Sequence, residues 1–309
     1  MYSNDSDPTP LRLGVSGSCF IFVMPEEVRH AAYSASVKGT LTKFDDRLNK
    51  LMAGFVREMM DTINSMDEIK AMECYHSTAW DRDLITEVVL DKPNVEFWSV
   101  HAPYGLYCNP SSPLEEAREG AVAGYCDAVI VAEQIGARTV VSHPGLNEGP
   151  RAPRQKMIEL SVDPFRRIAD FAGERGVRLA LEPLPKEEIG NSVEELLDIV
   201  ERIDRPNVGV NFDVNHQFPP ERIPDMIRQV GPRLLSIHIS DQDGQERHWL
   251  PFRGTMDWSE VLKALVDVGY TGPLMYETHI HDVPTCDEVG QPIVENYERL
   301  IQLAPGRGG

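Results

Sequence analysis

Short apolar, β-branched runs alternate with longer stretches of helical periodicity along the whole chain. LRLGVSG (11–17), IKAMECY (69–75), VEFWSVH (95–101), RTVVSH (138–143), VRLALEP (177–183), VGVNFD (208–213), LLSIHIS (234–240) and PLMYET (273–278) each read as a strand. Between them, PLEEAREGAVAGYCDAVIVAEQIGA carries small and apolar residues at helical spacing and ends in Gly136. NSVEELLDIVERID opens with Ser192 and Glu195 at the spacing of a capping box, and WSEVLKALVDVGY runs amphipathically into Gly269. The strands are nearly continuous in apolar residues and no hairpin signal separates them, which predicts parallel βαβ units. Eight such units close naturally into a (β/α)8 TIM barrel, an α/β fold. An open doubly wound sheet is the alternative, but GVSGSCF (14–20) is not G-x-G-x-x-G, and no Walker A motif occurs.

One stretch exceeds a minimal barrel. About fifty residues, 18–68, separate the first two strands. FDDRLNKLMAGFVREMMDTINSM reads as an amphipathic helix, and IFVMPEEVRHAAYSASVKGTLTK before it is longer than an ordinary βα loop. The expectation is a single-domain barrel over 11–303 with a long insertion after strand one. Residues 18–45 are a candidate lid or a contact for an oligomer or partner, although a packed surface excursion is the commoner use of such a segment. A disordered lead-in is expected over 1–10 and a flexible tail over 304–309.

Charge narrows the partners. The chain has 49 Asp and Glu against 30 Lys and Arg, a net 30 − 49 = −19. Such a balance opposes non-specific binding to nucleic acid or an anionic membrane, both of which need a basic surface. Five widely spaced cysteines without a CxxC argue against a disulfide framework or zinc ribbon. The polar, acidic start MYSNDSDPTP is no signal peptide, and no apolar run reaches membrane-span length. A cytoplasmic protein with no nucleic-acid or membrane partner is expected.

Catalytic side chains of a barrel emerge at the C-terminal ends of its strands. Strands three to eight end in or near His101, His143, Glu182, Asp213 (with His216 three residues on), His238 (with Asp241 three on) and Glu277. Singly, each is more simply a hydrogen-bonded structural residue; as an ordered series they point to one site, because charged groups are rarely buried unless paired or metal-bound. Glu182, Asp213, His238 and Glu277 give three carboxylates and an imidazole, a ligand set suited to Mn²⁺ and also to Mg²⁺, Co²⁺ or Zn²⁺. Facing one point, they would repel one another without a cation. His279 and His281 read as solvent-exposed loop histidines, and Trp98 as core. Trp249 and Trp258 suit either an aromatic platform or packing. Arg247 fits a substrate hydroxyl or a surface ion pair, and Lys186 the pocket mouth. Cys74 and Cys108 lie near strand ends without a partner base, so no nucleophilic cysteine is expected.

The ordered motifs H-A-P (101–103), S-H-P-G (142–145), L-E-P-L (181–184), F-D-V-N-H (212–216), H-I-S-D (238–241) and Y-E-T (276–278) resemble the xylose isomerase-like TIM barrel superfamily over about residues 11–303. That group holds sugar phosphate isomerases and epimerases, ketose 3-epimerases, inosose dehydratases and endonuclease IV. The resemblance implies one divalent metal, Mn²⁺ first, held by Glu182, Asp213, His238 and Glu277. Glu182 and Glu277 double as catalytic acid and base, a metal-stabilised enediolate forms next to a carbonyl, and His101, His143, His216 and His248 contact the substrate, with Arg247 a further candidate contact from its position. The implied function is a sugar or polyol isomerase or epimerase with a small carbohydrate or glycoside substrate, as a homo-oligomer. The chain departs from the ketose 3-epimerase pattern after strand seven, where the H-x-G-E and following Arg are missing, which puts rare-ketose epimerisation as such in doubt.

Two alternatives stay within the superfamily. One is the α subunit of a C-glycoside deglycosidase, a C–C lyase on 3-keto glycosides working with a small second subunit. The other is an endonuclease IV-like abasic-site nuclease with three zincs. For it, His101, His143, Glu182, Asp213, His216, His238, Glu246, His248 and Glu277 match all nine ligand positions, with Glu246 in place of Asp. The net charge of −19 and the absence of a basic-aromatic cluster in HAPYGLYCN weigh against the nuclease.

Overall fold

The computed structural model describes residues 11–37, 43–91 and 93–306. Eight strands appear, one in each expected run: β1 (Leu13–Ser16), β2 (Ile69–Tyr75), β3 (Glu96–His101), β4 (Thr139–Ser142), β5 (Arg178–Leu181), β6 (Val208–Asp213), β7 (Leu234–Ile239) and β8 (Leu274–Tyr276). All neighbours pair in parallel in sequence order, and β8 pairs back onto β1, so the sheet closes into a TIM barrel with no free edge. Almost every strand residue is buried, because side chains pointing inward meet the barrel interior and those pointing outward meet the helices. This is why the strands read as unbroken apolar runs.

The helices are α1 (Glu26–Val37), α2 (Asp46–Ser65), α3 (Arg82–Val89), α4 (Glu115–Ile135), α5 (Arg154–Gly173), α6 (Val193–Ile203), α7 (Ile223–Val230), α8 (Trp258–Asp267) and α9 (Cys286–Ile301). Both α1 and α2 lie between β1 and β2. Helix α2 buries Phe55, Val56, Met59, Met60 and Ile63 while Arg57, Glu58 and Asp61 face solvent, the periodicity its sequence announces. Gly136 closes α4 at φ 75°, in the left-handed region that glycine tolerates. Ser192 caps α6 by accepting from the Glu195 N–H. Glu195 accepts from the Gly190 N–H at 2.7 Å and binds Arg154, so its carboxylate fastens the preceding loop as well as the helix start.

Of the expected flanking segments, 1–10 and 307–309 lie outside the described residues, as does 38–42 within the candidate lid. Among the described residues no helix is long and apolar enough to cross a membrane.

The β7–α8 loop is organised by one buried carboxylate. Asp241 accepts hydrogen bonds from the Gln242, Phe252 and Met256 N–H groups at 2.8, 2.7 and 3.3 Å and from Trp258 Nε1 at 3.0 Å. Asp241 and Trp249 also exchange backbone hydrogen bonds. Gly254 passes so close that a Cβ would lie 2.1 Å from the Gln242 carbonyl oxygen, so glycine alone fits there. Asp241, one of the acids at the strand exits, is thus committed to its own loop, and Trp258 packs against it. Asp241→Asn removes the charge and at least one acceptor, leaving buried N–H groups unpaired. It is expected to lower the unfolding free energy by about 2 kcal/mol, read as a fall in the urea midpoint at constant m-value. A wild-type midpoint would show that the loop does not depend on this carboxylate.

Candidate metal centre

The strand exits converge on a cavity of about 790 Å³, within the size range of small-molecule sites. His101, His143, Glu182, His216, His248 and Glu277 line its floor, and Phe22, Met24, Tyr33, Tyr104 and Leu106 line its apolar wall.

The floor is built by strand register. Asp213, the last residue of β6, is paired with His238 in β7, and Ile239 is paired with Tyr276, which precedes Glu277. Glu182 follows Leu181 at the end of β5. His238 Nδ1 lies 3.0 Å from Glu277 Oε2, 3.2 Å from Glu182 Oε1 and 3.9 Å from Asp213 Oδ2. One ligand atom from each of these four residues falls within 4.8 Å of the others. His238, Asp213 and Glu182 are at most 1% exposed, and only the Glu277 side chain, at 12%, reaches the cavity more openly.

Charge dominates this arrangement. Burial pushes the carboxyls of Glu182 and Glu277 up, but the cationic His238 beside both, with His101 and His216 at Glu182, outweighs it and holds both well below the usual carboxylate range. Burial alone pulls His238 down; Glu277, Glu73 and Glu182 together lift it well above an ordinary imidazole. Asp213 goes the other way, raised by burial beyond what His216 and His238 offset. Glu182 Oε2 and Asp213 Oδ2 are buried without a well-aligned hydrogen bond, although imidazole nitrogens of His101 and His216 lie 3.3 and 3.2 Å from them. Buried anionic oxygens left so are the donor set a divalent cation takes. The three carboxylates and one imidazole therefore fit a divalent ion.

Four further histidines are aimed by the same device. His101 Nδ1 donates to the Ala102 carbonyl, His143 Nδ1 to that of Glu182, His216 Nδ1 to that of Pro183 and His248 Nδ1 to that of Glu277, at 2.9–3.1 Å. A carbonyl only accepts, so Nδ1 carries the proton and Nε2 is the atom left for other partners. His101, His143 and Glu182 form a second convergent group, and Asp213, His216 and His248 a third. Burial drives His143 down to about 4, so it stays neutral at physiological pH.

The other expected residues divide. Arg247 pairs with Asp243 at 3.0 Å, lies over the Trp249 ring and is absent from the cavity lining. Glu246 does line the cavity and lies 3.9 Å from His248 Nε2; Lys186 reaches it from the exposed rim at 3.5 Å. His281 is exposed as expected, but His279 is half-buried in the cavity wall, its ring 4.4 Å from that of His248. Trp98 is core, with Arg12 and Arg138 over its ring. Burial pushes the Cys74 and Cys108 thiols up to about 12, which leaves no nucleophile there. Sequence reasoning missed Glu73, in the middle of β2 and fully buried, whose carboxylate touches Ser16, Ser99 and His238. The signal was present: one acid between Met72 and Cys74 in an otherwise apolar strand core.

The model of the xylose isomerase-like TIM barrel family matches residues 68–303. An uncharacterised protein of Methanocaldococcus jannaschii is 28% identical over 204 residues, 63% of this chain and 69% of that one. The D-psicose 3-epimerase of Ruminiclostridium cellulolyticum is 28% identical over 179 residues, 56% of this chain and 60% of the enzyme. Among solved structures, the D-allulose 3-epimerase of Methylomonas sp. in complex with D-allulose superposes with a TM-score of 0.67 at 17% identity, over 94% of this chain and 98% of that one, a likeness of fold.

The charge pattern makes the metal-free and metal-bound proteins differ in a measurable way. Asp213 has a raised pKa in the folded state, so without a cation it destabilises the fold as pH rises through that value. In chelator-treated protein at neutral pH, Asp213→Asn, which keeps an acceptor for the Asn215 N–H, is expected to melt no lower than wild type. Mn²⁺ at a hundred times its Kd should then stabilise wild type by about 2.7 kcal/mol and the variant far less, reversing the order. Equal shifts in both proteins would show that the ion binds elsewhere.

Proposed function

The chain belongs to the xylose isomerase-like TIM barrel family, and on that premise we propose that it is a divalent-metal-dependent isomerase or epimerase of a sugar or polyol. The observation that carries this reading is the convergence of Glu182, Asp213, His238 and Glu277 within 4.8 Å of one another, with Glu182 and Glu277 lining an open cavity. The D-psicose 3-epimerase relative supports the same class.

The chemistry follows from the residues. A hydrogen next to a carbonyl is weakly acidic, so a positioned base must take it. Glu182 and Glu277 are both held ionised, so either can accept a proton at physiological pH. One carboxylate removes the proton, and the other, after taking a proton from solvent, returns one to the carbon. A divalent ion held by Glu182, Asp213, His238 and Glu277 would supply positive charge against the negative charge that develops on the substrate oxygen. His101, His143, His216 and His248 offer Nε2 atoms to substrate hydroxyls, with His279 beside them. Phe22 and Tyr104 offer an apolar wall to the carbon skeleton of the substrate. Arg247, engaged by Asp243, contacts substrate only if it exchanges that partner.

A second reading is favoured by one observation: the His101–His143–Glu182 and Asp213–His216–His248 groups also converge, with Glu246 adjoining the latter. Three metals there would suit phosphodiester hydrolysis. The net charge of −19 disfavours the polyanionic substrate that chemistry requires.

Metal analysis separates the two, one ion per chain for the isomerase or epimerase against three zincs for the nuclease. Glu182→Gln and Glu277→Gln, assayed on a keto-sugar panel at saturating Mn²⁺, should each lower kcat by about 10²–10⁴-fold. Both should also abolish solvent deuterium incorporation at the substrate carbon. Near-wild-type turnover in either variant would overturn the two-carboxylate mechanism, and turnover without deuterium uptake would point to hydride transfer.

A further inference from the structure

A fourth carboxylate stands behind the candidate metal centre. Glu73 is fully buried in β2, with β1 and β3 on either side. Register places Ser16 of β1 and Ser99 of β3 directly beside it. Ser16 Oγ donates to Glu73 Oε1 at 2.9 Å, and Ser99 Oγ donates to Glu73 Oε2 at 2.8 Å. Both carboxylate oxygens then face His238 Nε2 across the barrel, at 3.2 Å each.

These contacts assign the ends of the His238 ring. Glu73 is an acceptor, already fixed in place by two hydroxyl donors, so the Nε2 that faces it carries the proton. Nδ1, at the other end, faces Glu182, Asp213 and Glu277. Glu73 belongs to none of the convergent ligand groups among the described residues, and it faces Nε2 of His238 rather than Nδ1, the atom turned to Glu182, Asp213 and Glu277. Its burial nevertheless needs a reason. An isoleucine or valine would pack the same strand position without the cost of a buried charge, and two serines, each in register, are spent on orienting it.

We propose that Glu73 is a positioning residue of the metal centre, holding Nε2–H of His238 so that the Nδ1 lone pair is presented to the ion shared by Glu182, Asp213 and Glu277. A carboxylate at that place fixes the ring's tautomer and its rotation and makes Nδ1 the stronger donor, as outer partners of metal-bound histidines do. Ser16 and Ser99 in turn keep Glu73 from rotating off Nε2. The inference rests on the metal reading above.

The test is a metal titration of Glu73→Gln, which keeps the size and one acceptor of the side chain and loses its charge. The Kd for Mn²⁺, measured by calorimetry on chelator-treated protein, should rise about 10–100-fold while the melting temperature of the metal-free protein does not fall. In the Mg²⁺-loaded protein, the Nε2–H proton of His238 should give a protected downfield NMR signal that moves upfield in the variant. A destabilised metal-free variant with wild-type Kd, or an unmoved proton signal, would reduce Glu73 to a structural residue and overturn the proposal. If Glu73→Gln does not fold, Glu73→Asp, which keeps the charge but withdraws it from Nε2, is read by the same two measurements. Asp213→Asn and Glu182→Gln serve as references. If both bind Mn²⁺ as tightly as wild type, the metal reading and this inference fall together. If both lose the ion while Glu73→Gln keeps it at wild-type Kd, only the role of Glu73 is overturned.

Discussion

Four carboxylates around one imidazole, three of them buried and Glu277 opening to the cavity, set the terms for the rest of this structure. Glu73, Glu182, Asp213 and Glu277 all lie within 4 Å of the His238 ring nitrogens. In the interior of a closed barrel such a group is self-repelling unless positive charge is present. A protonated His238 supplies one unit, and its raised affinity for a proton shows how strongly the carboxylates ask for it. His216, lifted to about 10 against its burial by Asp213 and Glu182, adds a second unit, and two against four are still a partial answer. Asp213 registers the deficit as a raised pKa, and Glu182 Oε2 and Asp213 Oδ2 register it as buried oxygens without aligned donors. A divalent ion on the Nδ1 side would bring the charges closer to balance, adding two units while releasing the one proton that Nδ1 holds in its absence.

The barrel makes this concentration tolerable because it fixes the groups before any ligand arrives. Parallel register sets Asp213 beside His238 and Ser16 and Ser99 beside Glu73, so side chains from five strands meet without loop rearrangement. The loops that frame the cavity are themselves pinned by polar anchors. Asp241 holds the β7–α8 loop. Arg154 holds the β5–α6 loop through the carbonyls of Glu187 and Glu188 and the side chains of Asn191 and Glu195. Asn109 ties the β3–α4 loop to Leu146 beyond β4. Rigid support of this kind lets a site keep a geometry that its own electrostatics oppose.

Much of this was legible in the sequence, and the parts that were not have a common cause. Periodicity and apolar runs located all eight strands, since a strand buried on both faces has few other ways to be written. The ordered acids and histidines at the strand exits located the floor of the cavity, because closure of a parallel barrel brings those ends together. Position along a strand does not say what a side chain is bonded to. Asp241 and Glu277 both stand at strand exits, yet one is consumed by four loop donors and the other opens to the cavity. Arg247 and His248 are adjacent, yet one turns to Asp243 and the other to the Glu277 carbonyl and the cavity. Glu73 was passed over for the opposite reason: it lies within a strand rather than at its end, and its significance depends on a histidine 165 positions away.

The overall acidity of the chain takes on a different meaning once these acids are placed. Of the 49 acidic residues, the four around His238 are spent inside the barrel, while acids such as Glu27, Glu119 and Asp170 pair with arginines on the surface. Surface pairs of that kind contribute little individually and are screened by salt. The interior four are neither screened nor interchangeable. Their field falls on a cavity whose other wall is apolar, so it attracts a small cation strongly while repelling an anionic substrate such as a nucleic-acid phosphate. A neutral polyhydroxy substrate avoids that repulsion, and its carbonyl and hydroxyl oxygens are ligands that a metal held by three carboxylates can still polarise. The same electrostatic strain that a cation would relieve would therefore also select the charge class of the molecule that shares the centre.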